Sequence, residues 1–273
     1  MDDKRQSRKN LSKSTFKNLF IPFGEIGRLT GMLIIFGWAL FVLGFWYFST
    51  KGDHVFPSIG QVLKGFGSLY QRGMVEHLFK SIFLCIQSIS IGALISIVIA
   101  FLSPVPILNP IATFFSRMRY LPLAGIAYFI TVAISSGRMV QISILVIFMS
   151  LYFITSLLAV IQNIPQEEFD LARSLKCSRW ETLWIVVVRS RLDKVLDVLR
   201  QNLAIAWMML VTVESIMITS GGLGAMAKKA DKHMAFGEVI AIQILILFIG
   251  LFLDWFLKYI KTSFFPYSKT IKF

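Results

Sequence analysis

The 273-residue chain is 56% hydrophobic and only 16% charged, a composition that exceeds the apolar share of soluble domains and predicts a polytopic membrane protein. Its formal net charge is +13. Because the basic residues flank apolar runs, we expect them to set membrane orientation and not to bind nucleic acid. The two cysteines fall at different levels of the molecule and predict neither a disulfide nor a metal site, and no cofactor is expected.

The apolar runs predict an all-α fold with six transmembrane helices in a single domain over residues 29–262. The spans are expected at about 30–49, 81–103, 107–134, 139–161, 196–219 and 236–259. The third run contains Pro106, Pro110 and Pro122. We therefore expect a broken or tilted span that lies against protein, where irregular backbone is tolerated at membrane depth.

The distribution of lysine and arginine predicts the orientation of the chain. The polar, basic N-terminal tail (1–28), the loop at 162–195 and the C-terminal tail (263–273) hold most of these residues. The positive-inside rule therefore places both tails and this loop in the cytoplasm. Residues 50–80 and 220–235 are expected outside, with an interfacial helix through Leu69. The first apolar run is followed by no small-residue cleavage site, so it does not resemble a secretory signal.

The loop at 162–195 has the pattern of two short amphipathic helices. Pro165 can begin the first helix, and Glu167, Glu168 and Asp170 place negative charge near its positive end. The second helix begins with a capping-box sequence, S-x-x-E, at residues 178–181. The pattern alone fits an interfacial helix as well as it fits a docking device.

The fifth predicted span contains an ionisable residue, Glu214, near its expected outer end. Such residues are costly in lipid and face the protein interior or water, so Glu214 is either a hydrogen-bonded structural anchor or a contact of the transported solute. Gly221, Gly222 and Gly224 follow, and their lack of side chains permits close backbone approach, as a gate would need.

Several kinds of chemistry have no signature in the chain. No phosphate loop of the G-x-x-x-x-G-K-[ST] type occurs, so the chain is not expected to hydrolyse ATP. His54, His77 and His233 fall in predicted outer loops, where we expect solvated side chains and no metal site.

The loop resembles the cytoplasmic loop of ABC importer permeases. Residues 170–178, DLARSLKCS, are similar to the family pattern E-A-A-R-x-L-G-A-S, with Lys176 in the place of a glycine. Arg189 stands where the family has a proline. Further similarity to the nitrate/sulfonate/taurine-type permeases lies at residues 56–58 (F-P-S), 119–122 (R-Y-L-P), 206–214 (A-W…V-x-E), 221–224 (G-G-L-G) and 250–254 (G-L-F-L-D).

The resemblance implies the fold of a type I ABC importer permease and a set of partners. These are a cytoplasmic ATPase, a second permease copy or paralogue, an extracytoplasmic substrate-binding protein and the lipid bilayer. The residues that it implies for coupling to the ATPase are Glu168, Asp170, Ala172, Lys176, Ser178 and Trp180. Two alternatives stay open: a transporter driven by an ion gradient, and a membrane scaffold that binds a partner without transport.

Overall fold

The computed structural model describes residues 27–49 and 57–264, except for the side chains of residues 28, 123 and 124. The predicted tails 1–28 and 263–273 lie almost entirely outside these residues. The described part of the chain is helical and contains no strand, which confirms the all-α prediction. It divides into two units, residues 1–60 and 61–273.

The described part of the first unit is built around one apolar helix, α1 (Arg28–Ser49). Residues Leu29–Ser49 are long and apolar enough to cross a membrane. The indole Nε1 of Trp46 donates a hydrogen bond of 3.2 Å to the carbonyl of Pro57, which ties the end of this helix to the chain that follows.

The second unit is a helical bundle, and α2 (Ile59–Gln71) leads into it. Four long helices dominate the bundle: α3 (Met74–Phe101), α6 (Gly137–Gln162), α9 (Leu192–Ile216) and α11 (Phe236–Phe264). Each of the four is part of a segment long and apolar enough to cross a membrane. The helix α3 begins at Met74, well before the predicted start at 81. His77 therefore lies in a helix, and the prediction that it occupies a loop is wrong.

The predicted third span is broken into two helices, α4 (Asn109–Met118) and α5 (Leu123–Ala133). They contain 10 and 11 residues, so each is about 15 Å long, half the hydrocarbon thickness of a bilayer. Pro122 is extended and immediately precedes α5. The expected break is therefore present, and five helices in the described ranges could each span a membrane alone.

Small residues allow α3 and α6 to pack closely. Ser88, Gly92, Ser96 and Ala100 recur at four-residue spacing on α3 and are buried. A Cβ at Gly92 would lie 3.3 Å from the Cβ of Met149, and Ser96 donates a hydrogen bond to the carbonyl of Ser150. Packing of this kind holds helices together in lipid, where apolar side chains gain little from contact with one another.

Two ion pairs connect α9 and α11. Arg200 makes a two-pronged contact with Asp254, through Nε–Oδ1 and Nη2–Oδ2 distances of 2.8 and 3.2 Å. Near the same ends of the helices, Lys261 donates to Asp197. The indole of Trp207 donates to the carbonyl of Ile246 farther along the bundle. These contacts hold α9 in position against α11. The two candidate sites lie near the two ends of α9.

Candidate functional site

The first candidate site surrounds Glu214 at the C-terminal end of α9. The side chain is fully buried. Its Oε1 accepts a hydrogen bond of 2.7 Å from the hydroxyl of Ser81 on α3, and its Oε2 accepts one of 2.9 Å from the backbone N–H of Gly224. The Ser81 hydroxyl oxygen in turn accepts from the N–H of Leu223. Both oxygens of the carboxylate therefore bind donors of the chain itself.

The glycine turn that follows α9 is shaped around this carboxylate. Gly221 and Gly222 have φ values of 79° and 109°, in the region that favours glycine. Gly224, in the first turn of α10 (Leu223–Lys232), could not carry a Cβ, because that atom would lie 2.1 Å from the carbonyl oxygen of Val211. The structure thus brings together Glu214, Gly222 and Gly224.

Sequence reasoning missed two residues of this cluster, Ser81 and His77. The Nδ1 atom of His77 accepts a hydrogen bond of 3.0 Å from the N–H of Gly222, so the imidazole orients the glycine turn. Serines are common in membrane helices, and no local pattern marks Ser81. The one hint in the sequence is that Ser81 follows His77 by four residues, which places both side chains on the same face of a helix.

The second candidate site is the loop at the opposite end of the bundle, between α6 and α9. It contains α7 (Gln166–Ser174) and the single-turn helix α8 (Arg179–Thr182). Pro165 is extended and precedes α7, as predicted. The predicted capping box is present, because Glu181 N–H donates to the Ser178 hydroxyl and Ser178 N–H donates to the Glu181 carboxylate.

Lys176 adopts the left-handed conformation that the glycine of the family pattern would favour, with φ 55°. The N–H of Cys177 donates to the carbonyl of Ala172, and the N–H of Lys176 donates to the carbonyl of Arg173. These two bonds form a Schellman motif, the common C-terminal cap of a helix. The turn between the two loop helices is therefore built with a lysine, which costs about 1 kcal/mol relative to glycine.

The loop exposes four large apolar side chains. Leu171, Leu175, Trp180 and Trp184 are exposed, with 62–69% of each residue accessible. Asp170, Lys176 and Ser178 are exposed beside them. We call the four apolar residues the docking face. Exposed apolar groups in this concentration are typical of interaction surfaces.

Two of the predicted coupling residues point elsewhere. Ala172 is 5% exposed and packs inside the bundle core. Its small side chain therefore brings α7 close to the rest of the chain. The carboxylate of Glu168 forms an ion pair with Arg191, whose Nη2 lies 2.5 Å from its Oε1. Sequence reasoning missed Arg191, because 23 positions separate the partners.

A small apolar groove of about 280 Å³ lies behind the docking face. Its lining includes Pro104, Val105 and Pro106 from the chain between α3 and α4, together with Phe169, Trp180 and Leu183 from the loop. The loop is thus supported by a second segment at the same end of the bundle.

Comparison with known proteins gives consistent results. The family described as "Binding-protein-dependent transport system inner membrane component" matches residues 65–265. The taurine transport system permease protein TauC of Escherichia coli (strain K12) is 29% identical over 155 residues, which cover 56% of each chain. A candidate ABC transporter permease protein of Methanocaldococcus jannaschii is 30% identical over 131 residues, which cover 47% of this chain and 49% of that protein.

These alignments span about half the length of each relative. Among solved structures, an amino acid ABC transporter crystallised with histidines has a similar fold. Its TM-score is 0.60 at 18% identity, and the match covers 71% of this chain and 95% of the other. Since the family match extends over most of the chain, this protein belongs to the family of inner membrane components of binding-protein-dependent transport systems.

Proposed function

We propose that the chain is the membrane-spanning permease subunit of an ABC importer, driven by a separate cytoplasmic ATPase and supplied by an extracytoplasmic binding protein. One observation carries the docking part of this proposal. The loop between α6 and α9 is held by a Schellman motif and a capping box, yet it exposes Leu171, Leu175, Trp180 and Trp184. An exposed apolar surface on a capped helical loop is suited to a protein partner.

The orientation in this proposal follows from charge. The loop carries Arg173, Lys176, Arg179, Arg189 and Arg191, and the positive-inside rule assigns such a loop to the cytoplasm. The Glu214 cluster then lies at the outer end of α9, and its glycine turn borders the face open to a binding protein. Two permease copies, identical or paralogous, would enclose the path.

The mechanism in this proposal is a rigid-body movement. Closure of two ATPases on ATP would draw the docking faces together. The movement would pass through α7 and α8 into α6 and α9, and access to the path would switch from the outer to the inner side. The chain itself contributes no catalytic group to ATP hydrolysis in this scheme.

For the solute we propose a small organic sulfonate, because one of the relatives is a taurine permease. The test uses the full chain, reconstituted in proteoliposomes with the ATPase and the binding protein that co-purify with it. Uptake of radiolabelled taurine is compared with uptake of β-alanine, which has a carboxylate in place of the sulfonate. We expect ATP-dependent uptake of taurine and little uptake of β-alanine.

Three results would contradict these proposals separately. Uptake that follows an imposed ion gradient and needs no ATP would indicate a secondary transporter. A chain that binds the ATPase but never stimulates hydrolysis, with or without the loaded binding protein, would indicate a scaffold. Equal uptake of taurine and β-alanine would reject the sulfonate class while leaving the importer proposal intact.

A further inference from the structure

The loop that carries the docking face begins after Gln162 and ends before Leu192. One ion pair, between Glu168 and Arg191, connects the first helix of this loop to its last residue. Glu168 lies in the first turn of α7, and Arg191 is the last residue before α9. Their contact joins α7 to the residue that immediately precedes the membrane-spanning helix α9. The Arg191 side chain is 18% exposed and the Glu168 side chain 38% exposed, so the pair is partly shielded from water.

The backbone between α8 and α9 is irregular. Residues Leu183–Val188 form a π-helix, and Arg189–Arg191 form a turn of 3-10 helix. These two forms have more and fewer residues per turn than an α-helix, and such interruptions often mark hinges. The chain from α8 into α9 is therefore helical throughout but changes its helical pitch, and Val186 and Val187 within this segment are buried in the core.

The other covalent route is also interrupted. Between α6 and α7 the chain passes through residues 163–165, and Pro165 is extended at φ −60° and ψ 140°. The Glu168–Arg191 contact adds a side-chain connection between α7 and the last residue of the 3-10 turn, which immediately precedes α9. Arg191 also has a buried Nε without a hydrogen-bond partner in the described structure. Loss of the carboxylate would therefore leave a poorly solvated cation, which would move to find water or another partner.

We infer that Glu168 and Arg191 act as a clasp that makes α7 and the start of α9 move as one body, so that movement of the docking face reaches the membrane-spanning bundle. This inference rests on the proposed function. It assigns Glu168 a role inside the subunit in place of a direct contact with the ATPase. In this role both residues are positioning residues, which act through the helices that they connect.

The first experiment measures the clasp in the full chain purified alone, so that its outcome does not depend on the ATPase. Spin labels are attached at Arg173→Cys on α7 and Lys194→Cys on α9, both exposed sites, after Cys177→Ser removes the more accessible native cysteine. We expect one narrow distance distribution, and a broad one when Glu168→Gln is added. Glu167→Gln, an exposed carboxylate in the same helical turn, is the matched control and leaves the distribution narrow.

The second experiment measures coupling in the reconstituted complex, as taurine transported per ATP hydrolysed. We expect Glu168→Gln and Arg191→Met to keep ATP hydrolysis while transport per ATP falls at least about fivefold, the scale of a modest coupling free energy. Arg189→Met, an exposed arginine in the same 3-10 turn, should behave as wild type. The charge-swapped double variant, Glu168→Arg with Arg191→Glu, should regain most of the lost coupling.

The inference is overturned if Glu168→Gln leaves the distance distribution narrow. It is overturned equally if hydrolysis and transport fall in the same proportion, which a merely structural role predicts. If the single variants fail to assemble, the charge-swapped variant decides: renewed assembly and coupling support the clasp, and any other result rejects it. A wild-type chain with a narrow distance distribution but no ATPase partner would reject the proposed function while confirming the rigid contact.

Discussion

Glu214 and Gly222 fit together only because residue 222 has no side chain: a Cβ there would lie 2.2 Å from the Cδ of Glu214. The buried carboxylate and the glycine turn are therefore parts of one arrangement, which joins the end of α9 to the start of α10. In this conformation the carboxylate contacts the donors of Ser81 and Gly224. This geometry fits a structural anchor better than a contact of the transported solute.

Replacing Gly222 should therefore be severe. The added methyl group of Gly222→Ala meets the Glu214 carboxylate at a φ of 109°, so we expect a loss of about 3 kcal/mol in the free energy of unfolding. Thermal unfolding of the full chain in detergent measures the effect. Gly125→Ala is the control, since a Cβ there has no neighbour within 4 Å and alanine favours a helix. Equal melting temperatures for the two variants would contradict this account of the turn.

The anchor role of Glu214 predicts how its amide variant should behave. Glu214→Gln replaces one acceptor oxygen with an NH2 donor, which would face another donor, either the Ser81 hydroxyl or the Gly224 N–H. The lost hydrogen bond should lower the free energy of unfolding by about 1–3 kcal/mol. Uptake should fall only as far as the amount of folded protein falls, with an unchanged KM for the solute. Glu76→Gln, an exposed carboxylate that pairs with Lys80, is the control and should change stability little. A raised KM with normal stability would instead indicate contact with the solute.

The left-handed residue in the docking loop predicts a stabilising substitution. Lys176→Gly removes the strain of a side chain at φ 55°, and we expect a gain of about 1 kcal/mol in the free energy of unfolding. Arg173→Gly, within α7, should lower stability by about 1 kcal/mol, because glycine disfavours an ordinary helical position. The prediction fails if both glycines change stability in the same direction.

The docking face predicts where the affinity for the ATPase resides. Trp180→Ala and Trp184→Ala should each weaken binding of the ATPase about 30-fold, which corresponds to about 2 kcal/mol for a buried aromatic contact. Titration of detergent-solubilised chain with labelled ATPase gives the affinity. Trp255→Ala on α11 removes an indole of similar exposure outside the docking face and should leave the affinity unchanged. If it weakened binding as much, a general effect of tryptophan loss would explain the result.

Local chemistry explains why parts of the loop could be predicted. Pro165 before a helix, the Ser178–Glu181 capping box and the break near Pro122 all depend on residues close in sequence, and the structure shows all three. The amphipathic pattern of the loop did not decide which side of α7 contacts the bundle. Ala172 is buried and Leu175 is exposed, because the bundle covers one side of α7 and leaves the other open.

By itself, the sequence determined a helical membrane protein, because long apolar runs must satisfy their backbone hydrogen bonds within helices. It also determined the place of the loop and of the glycine turn, since both depend on neighbouring residues. Only the tertiary structure decided the partners of the charged residues. Glu168 meets Arg191, and Glu214 meets Ser81, across separations of 23 and 133 positions. Such contacts depend on how the helices pack, and no local pattern specifies which side chains the packing brings together.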